Sequence, residues 1–214
     1  IIIASIVPYI IKNNHGLKMT SESELNIANK EQNGLEDIYQ DFLSGHISAI
    51  ENDQEYRIQD LFDSNNISYI YCNIDDDLDS ELHMKSDDSY YIVKYMDSSL
   101  NIIYRGTVYE YPVNKNGLYG VIYYRLGGGP KHETYQFLSF SVSGQVKSEI
   151  LFEWYDANEN EMMDESDIFL FNDDEIADME KWKEMTQIYR DTIMDIENEK
   201  WIKLDIKNTL DSTG

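Results

Sequence analysis

The chain has 214 residues and carries 41 Asp and Glu against 17 Lys and Arg, which gives a formal net charge of -24. A chain this acidic repels phosphate groups, so its composition excludes a nucleic-acid binder and disfavours binding to bare anionic lipid surfaces. Its hydrophobic content of 42% and aromatic content of 13% are too high for an acidic disordered tail. The composition therefore predicts a folded acidic protein.

The N-terminal region is interpreted as a targeting segment and a linker that precede a single domain. Residues 1–12 form an apolar run that is too short to span a bilayer, which needs about 20 residues. Such a run is typical of a truncated signal peptide or membrane anchor, and the alternative is a buried edge strand. Residues 13–33 are polar and predict a linker, 34–205 a single α+β domain, and 206–214 a tail. We therefore expect an extracellular or membrane-anchored protein on the outer face, with the apolar segment as a membrane tether.

The first predicted element of the domain is a short amphipathic helix. Its apolar residues recur at helical spacing: Leu35, Ile38, Tyr39, Phe42 and Leu43. Gly45 follows, where a left-handed residue commonly ends a helix. A further helical turn is predicted near Ile58 and Leu61.

From about Ser68 the hydrophobic period changes to two, which predicts strands. We place them near 68–74, 81–85, 89–96, 100–105, 107–112, 118–125, 134–143 and 146–155. The short connections favour an antiparallel β-meander over parallel β-α-β units. In the last hairpin two apolar sets alternate with polar residues: Leu138, Phe140 and Val142, then Ile150, Phe152 and Trp154. This alternation predicts one buried face.

The helical period returns at the end of the domain. Apolar residues step by three or four from Ile176 to Ile196, and Asn172 with Glu175 matches an N-terminal capping box. The predicted fold is α+β, an antiparallel β-meander sheet flanked by a short N-terminal helix and a long C-terminal amphipathic helix.

An acidic loop, NIDDDLDSE at 73–81, separates two of the predicted strands. Ca²⁺ takes about six to eight oxygen ligands, and a tight loop supplies them from alternate side chains and a backbone carbonyl. The predicted ligands are the side chains of Asn73, Asp75, Asp77 and Glu81 and the carbonyl of Asp79. Position 6 is Leu78, where such loops usually carry Gly, so the alternative is a solvated acidic turn.

The same spacing recurs in DANENEMMD at 156–164, directly after the strand ILFEWY. The predicted ligands are the side chains of Asp156, Asn158, Asn160 and Asp164 and the carbonyl of Met162. Asp167 stands at position 12, where it would assist as in a helix-loop-helix site. Two amide ligands make this site less charged and therefore weaker than the first.

Four segments resemble one protein family: LEDIYQDFLSGHISA, YIYCNIDDDLDSELHM, YYRLGGGPKHETYQF and FEWYDANENEMMDESDIFLFNDDEI. They are similar to uncharacterised secreted or lipid-anchored proteins of Gram-positive gut anaerobes. In that family the first loop resembles the D-x-D-G-D-G-x-x-E-L calcium loop of integrin-type repeats. The resemblance covers 35–200 and implies export and a calcium loop, but no catalytic residue.

Other reactive residues give weaker signals. Cys72 is the only cysteine, which excludes an intrachain disulfide and a multi-cysteine zinc site. The glycines at 127–129 lack the Gly-Lys-Ser/Thr of a phosphate loop and predict a bend between strands. His132 and Glu133 beside this bend could form an acid–base pair, and the simpler interpretation is a pair of surface residues.

The leading functional interpretation is a non-enzymatic calcium-binding module, secreted or at the cell surface. In it the acidic loops bind Ca²⁺ and rigidify a tyrosine-rich sheet for contact with a protein or a glycan. The alternative is a cytoplasmic acidic antagonist, such as an immunity-type protein that neutralises a basic partner by charge complementarity. A hydrolase that works through His132 and Glu133 is a third interpretation.

Overall fold

The structure is a computed structural model that describes residues 34–64, 66–75, 77, 79–127, 131–196 and 200–204. The predicted targeting segment, linker and tail lie outside these ranges. The helices are α1 (34–43), α2 (Ile58–Leu61) and α3 (Met179–Ile196). The strands are β1 (Ala49–Glu51), β2 (Gln54–Tyr56), β3 (Ile67–Cys72), β4 (Glu81–Lys85), β5 (Ser89–Met96), β6 (Ser99–Thr107), β7 (Glu110–Lys115), β8 (Leu118–Leu126), β9 (Lys131–Phe140), β10 (Val146–Tyr155), β11 (Ile168–Phe171), β12 (Asp174–Glu175) and β13 (Ile202–Leu204).

The strands form two sheets, where the sequence predicted one. The first has the order β13-β3-β4-β5-β6-β1-β2, and the second has the order β12-β11-β10-β9-β8-β7. All strand pairs in the described residues are antiparallel except β1 with β6. The fold is therefore a mostly antiparallel β structure with flanking helices, which fits an α+β or mostly β class.

The eight strands predicted from periodicity correspond to β3–β10, with bounds that differ by at most three residues. The short strands β1, β2 and β11–β13 were not predicted, because two to four residues are too few to show a period of two. The first helix is as predicted: Tyr39, Phe42 and Leu43 are buried, and Gly45 has a φ of 74°.

Both faces of the second sheet carry buried residues, so the prediction of one buried face is wrong. The β9–β10 register pairs Tyr135 with Phe152 and Leu138 with Glu149, which places Phe152 and Leu138 on opposite faces. Phe152 packs against α3 in one core, whereas Leu138 packs against Tyr90 of the first sheet in another. A strand face covered by a helix and one covered by a sheet have the same alternation of apolar residues in the sequence.

The start of α3 also differs from the prediction. Asn172 lies in the β11–β12 turn with a φ of 48°, and its Oδ1 accepts a hydrogen bond from the Leu151 N–H at 2.8 Å. The helix begins at Met179, and Asp178 caps it by accepting the Lys181 N–H at 3.1 Å. Among the described residues, no helix combines the length and the apolar character needed to cross a membrane.

Candidate functional site

The first acidic loop joins β3 to β4 at one end of the first sheet. The register pairs Cys72 with Glu81, so the loop leaves and re-enters the sheet at adjacent positions. Ile74 is fully buried and packs with Tyr90 and Ile92, which fixes the start of the loop to the core between the sheets. The polar residues that follow are thus held on a rigid base.

Side-chain hydrogen bonds coil this loop. Asn73 Oδ1 accepts the Asp75 N–H at 3.2 Å, Asp75 Oδ1 accepts the Asp77 N–H at 3.0 Å, and Asp77 Oδ1 accepts the Asp79 N–H at 2.9 Å. Each bond closes a turn of the kind that Asn and Asp favour. The repeated turns gather carboxylates that are separated in sequence, and Asp79 remains exposed.

Asp75, Asp77 and Glu81 form a carboxylate triad whose oxygens lie within 4.8 Å of one another. Asp75 and Glu81 are buried, with 4% and 0% of their surface exposed. Carboxylate oxygens at this spacing could hold a metal ion. Asn73 stands beside the triad: its Oδ1 serves the turn above, and its Nδ2 donates to the Asp77 carbonyl at 2.6 Å.

The ammonium group of Lys94, from β5, lies at the centre of the triad. Its Nζ is 2.7 Å from Asp75 Oδ2, 2.7 Å from Asp77 Oδ2 and 2.6 Å from Glu81 Oε1. Lys94 is itself only 4% exposed. The loop therefore already coordinates a cation, and that cation belongs to the chain.

Each carboxylate of the triad uses one oxygen for Lys94 and the other for a backbone N–H. The second oxygens accept from the Asp77, Asp79 and Ile74 N–H groups, the last at 3.0 Å. A metal ion that used all three carboxylates would therefore displace or share the Lys94 ammonium. The arrangement satisfies every oxygen of the triad without a metal.

The charges of this cluster do not balance, because three carboxylates face one ammonium. Burial raises the pKa of Glu81 to about 7 and also raises the pKa of Asp75. Burial would lower the pKa of Lys94, but its hydrogen bonds to the three carboxylates outweigh this and raise it. Lys94 thus stays charged, and the cluster favours an additional positive charge, either a proton or a cation.

Sequence reasoning missed Lys94, although its strand carried a signal. Tyr90, Tyr91, Ile92, Val93 and Lys94 are all buried, so both faces of β5 lie in the protein interior. A Lys in a strand buried on both faces needs a buried counter-charge. The nearby acidic loop was the available source of that charge.

The second acidic loop joins β10 to β11. Asp156 is 1% exposed, and its two oxygens accept the Asn160 N–H at 3.2 Å and the Glu161 N–H at 2.7 Å. Glu159 and Glu161 have φ values of 57° and 60°, which turn the backbone around Asp156. Asp156, the first predicted ligand, thus holds the loop backbone in place through hydrogen bonds to two of its N–H groups.

The other predicted ligands gather around Asp164. Its Oδ2 accepts from the amides of Asn158 at 3.1 Å and Asn160 at 2.8 Å, and its Oδ1 accepts from Ser166. Hydrogen bonds from Ser166, Asn160 and Asn158 hold the pKa of the Asp164 carboxyl well below its usual range. The side chain of Met162 is exposed.

Asp167 closes the second loop from position 12. Its Oδ2 accepts from the Trp154 indole at 3.0 Å and from the Asp164 N–H at 2.9 Å, and its Oδ1 accepts from the Ala157 N–H at 3.1 Å. Within the described residues, every donor to Asp164 and Asp167 is uncharged. The sequence has no Lys or Arg from 148 to 180. This segment therefore contains no lysine that could pair with the loop carboxylates as Lys94 does in the first loop.

The proposed acid–base pair at the glycine-rich bend gains no support from geometry. Glu133 is buried on the face toward α3 and accepts a hydrogen bond from the Tyr135 hydroxyl. The side chain of His132 lies outside the described part of the chain.

Comparison with models of protein families, with curated proteins and with solved structures finds no match. The two acidic loops and the surface of the sheets are therefore the candidate functional sites.

Proposed function

We propose that the protein is a non-enzymatic calcium-binding module, located outside the cell or on its surface, that acts by contact with a partner. The proposal is carried by the arrangement of oxygen-bearing side chains in the second loop. The residues with oxygen-bearing side chains at its positions 1, 3, 5, 9 and 12 are linked to one another and to the loop backbone by hydrogen bonds. The described donors to Asp164 and Asp167 are all neutral, in contrast to the Lys94 ammonium at the first loop.

The donor set favours calcium over other metals. Carboxylate and amide oxygens with a backbone carbonyl are hard ligands, which suit Ca²⁺, and no sulfur or imidazole is present among them. The two amides lower the charge of the site, which points to the dissociation constants of about 10⁻⁴ to 10⁻³ M typical of extracellular modules. The apolar N-terminal run and the family resemblance together favour export.

The first loop has a different part in this proposal. Lys94 serves as its resident cation and holds the loop folded when calcium is low. Calcium enters the triad only in competition with an ammonium tethered to the same chain, so we propose that this loop binds calcium more weakly than the second.

The test is a calcium titration of the full chain by isothermal calorimetry, with Tb³⁺ luminescence excited through tryptophan as a second readout. Trp154 contacts Asp167 directly, so it lies within reach of an ion in the second loop. Asp164→Asn should abolish the tighter of the binding steps in the calorimetric titration and the luminescence. The matched control is Asp173→Asn, an exposed carboxylate in the neighbouring β11–β12 turn. Absence of saturable binding, or equal binding in both variants, overturns the proposal.

A second candidate, the acidic antagonist of a basic partner, is favoured by the surface of the same region. Residues 148–180 hold carboxylates and no Lys or Arg, and Glu159, Glu165 and Glu175 are exposed. This candidate predicts binding to a basic protein that weakens steeply with salt and needs no calcium. A calorimetric titration with cytochrome c as the basic probe, with and without EGTA, separates the two candidates.

A further inference from the structure

A groove of about 370 Å³ lies on the second sheet, on the face away from α3. It is formed by β8, β9 and β10, and the first sheet covers this face only as far as Val121 and Leu138, which share a core with Tyr90. The volume falls near the lower end of the range for small-ligand sites, about 300–1,000 Å³. It is far too small for a folded domain.

The strand register explains which side chains line the groove. Arg125 pairs with Thr134, and Thr134 pairs with Glu153, which makes one row across the three strands. The next row is Tyr123, Gln136 and Leu151. Neighbouring strands lie about 4.8 Å apart and the two rows about 7 Å apart, so the floor is about 10 Å by 7 Å.

The lining is polar, charged at two points and aromatic at its rim. Glu153 is only 6% exposed, although it lines the groove, and the Tyr155 hydroxyl lies 3.4 Å from its Oε2. Arg125 is exposed and lies 5.6 Å from the ring centre of Tyr109. Tyr109 in turn packs edge-on against Tyr123 at 6.3 Å. Donors, acceptors and ring faces thus border one small space.

This chemistry excludes several ligand classes. An apolar ligand would take water away from the exposed guanidinium of Arg125, and an anion would meet Glu153 and a net charge of -24. A peptide that adds a strand needs a free sheet edge, but β8, β9 and β10 each have a partner on both sides. A ligand that both donates and accepts hydrogen bonds and carries no charge fits best.

We infer that this groove binds a neutral carbohydrate, of the size of a mono- or disaccharide or the end of a longer glycan. Sugar hydroxyls can donate to Glu153 and Gln136 and accept from Arg125, and the C–H face of a sugar ring packs on Tyr123. The inference rests on the proposed role of the protein in contact with a partner, but not on calcium. A shallow site on rigid strands implies weak binding, with a dissociation constant of about 1 mM for a single sugar unit.

The test is an array of neutral oligosaccharides probed with the full chain, followed by titration of the best ligand by ligand-observed NMR. We expect Gln136→Ala and Tyr123→Ala to lower the affinity at least about tenfold, which is 1.4 kcal/mol. Tyr119→Ala is the matched control, because Tyr119 is an exposed tyrosine on β8 that does not line the groove. Thermal midpoints of all variants should equal that of the wild type.

The titration is run in calcium and in EGTA, so that failure of the calcium proposal and failure of this one can be told apart. Binding that is lost in the groove variants, with or without calcium, supports the inference. No binding to any neutral oligosaccharide overturns it. So does binding that Tyr119→Ala and Gln136→Ala reduce equally, or binding only to a basic peptide included on the array.

Discussion

Lys94 is the residue that most changes the view of the first loop. The acidic sequence 73–81 predicted a calcium ion, whereas Asp75, Asp77 and Glu81 converge on the ammonium of Lys94. The identity of that cation could not be predicted, because it comes from a residue 13 positions beyond Glu81 whose register depends on the β4–β5 pairing. The acidic sequence shows that the buried carboxylates of this loop need a positive charge nearby. Only the fold shows that the Lys94 ammonium supplies it.

Removal of the Lys94 ammonium should be costly. Lys94→Met leaves three carboxylates facing one another, two of them buried, and loss of one partner from a buried ion pair costs about 3–5 kcal/mol. We expect a loss of this size in the free energy of unfolding, measured with urea in EGTA. Lys183→Met is the control, because Lys183 pairs with an exposed Glu180 one turn away, and such pairs contribute less than about 1 kcal/mol.

The same variant tests whether the triad can accept a metal. With the ammonium gone, the triad lacks a cation, so calcium should stabilise Lys94→Met more than it stabilises the wild type. Equal losses in Lys94→Met and Lys183→Met would show that the ion pairs at the triad are not structurally important.

At the scale of elements, the corner between the two sheets is built around Glu110. The chain leaves β6 at Thr107 and enters β7 at Glu110, whose carboxylate accepts hydrogen bonds from the Tyr104 hydroxyl at 2.9 Å and from the Thr107 N–H. Gly106 makes room for this carboxylate, since a Cβ at that position would overlap it. Strands are predicted from the sequence on both sides of this corner, but no sequence pattern indicates that the chain passes from one sheet to the other there.

Glu110 should give the protein a measurable pH dependence. Burial raises its pKa above the ordinary value of 4.5, so the folded state binds this proton more tightly than the unfolded state does. The resulting stability is fully present below pH 4.5 and is lost as the pH rises through the pKa of the folded state. Urea unfolding of the wild type and of Glu110→Gln across this range should show a smaller loss in the variant, which keeps the contributions of Glu81 and Asp75. Parallel curves for the two proteins would contradict the assignment.

The N-terminus of α3 offers a test of the observed cap against the predicted one. Asp178 accepts the Lys181 N–H, and its carbonyl accepts the Trp182 N–H, the first bond of the helix. Asp178→Ala should therefore lower the free energy of unfolding by about 1 kcal/mol. Asp195→Ala is the matched control, because an acidic residue in the last turn opposes the helix dipole and its removal should cost nothing. If Asp195→Ala costs as much as Asp178→Ala, the cap assignment is wrong.

At the scale of the whole molecule, local periodicity predicted most strands but not their division into sheets. Leu138 and Phe152 alternate with polar neighbours as residues of a single buried face would, yet one packs against a sheet and the other against a helix. Strand alternation reports only that a face is buried. Which element covers that face depends on contacts between residues far apart in sequence. Here α3 covers the face that carries Phe152, and the first sheet packs against Leu138 on the other face.

The net charge of -24 also acts at this scale, because like charges repel one another in the compact state. Sodium chloride should therefore raise the thermal midpoint of the wild type, and of Asp164→Asn by a similar amount, since screening acts on all exposed carboxylates. Calcium chloride at matched ionic strength should raise the wild-type midpoint further than magnesium chloride does, because Mg²⁺ demands an octahedral site and gives up its waters reluctantly. Asp164→Asn should lose only that calcium-specific part. If calcium and magnesium act alike on both proteins, the effect is screening of the surface charge and the second loop is an acidic turn without a bound ion.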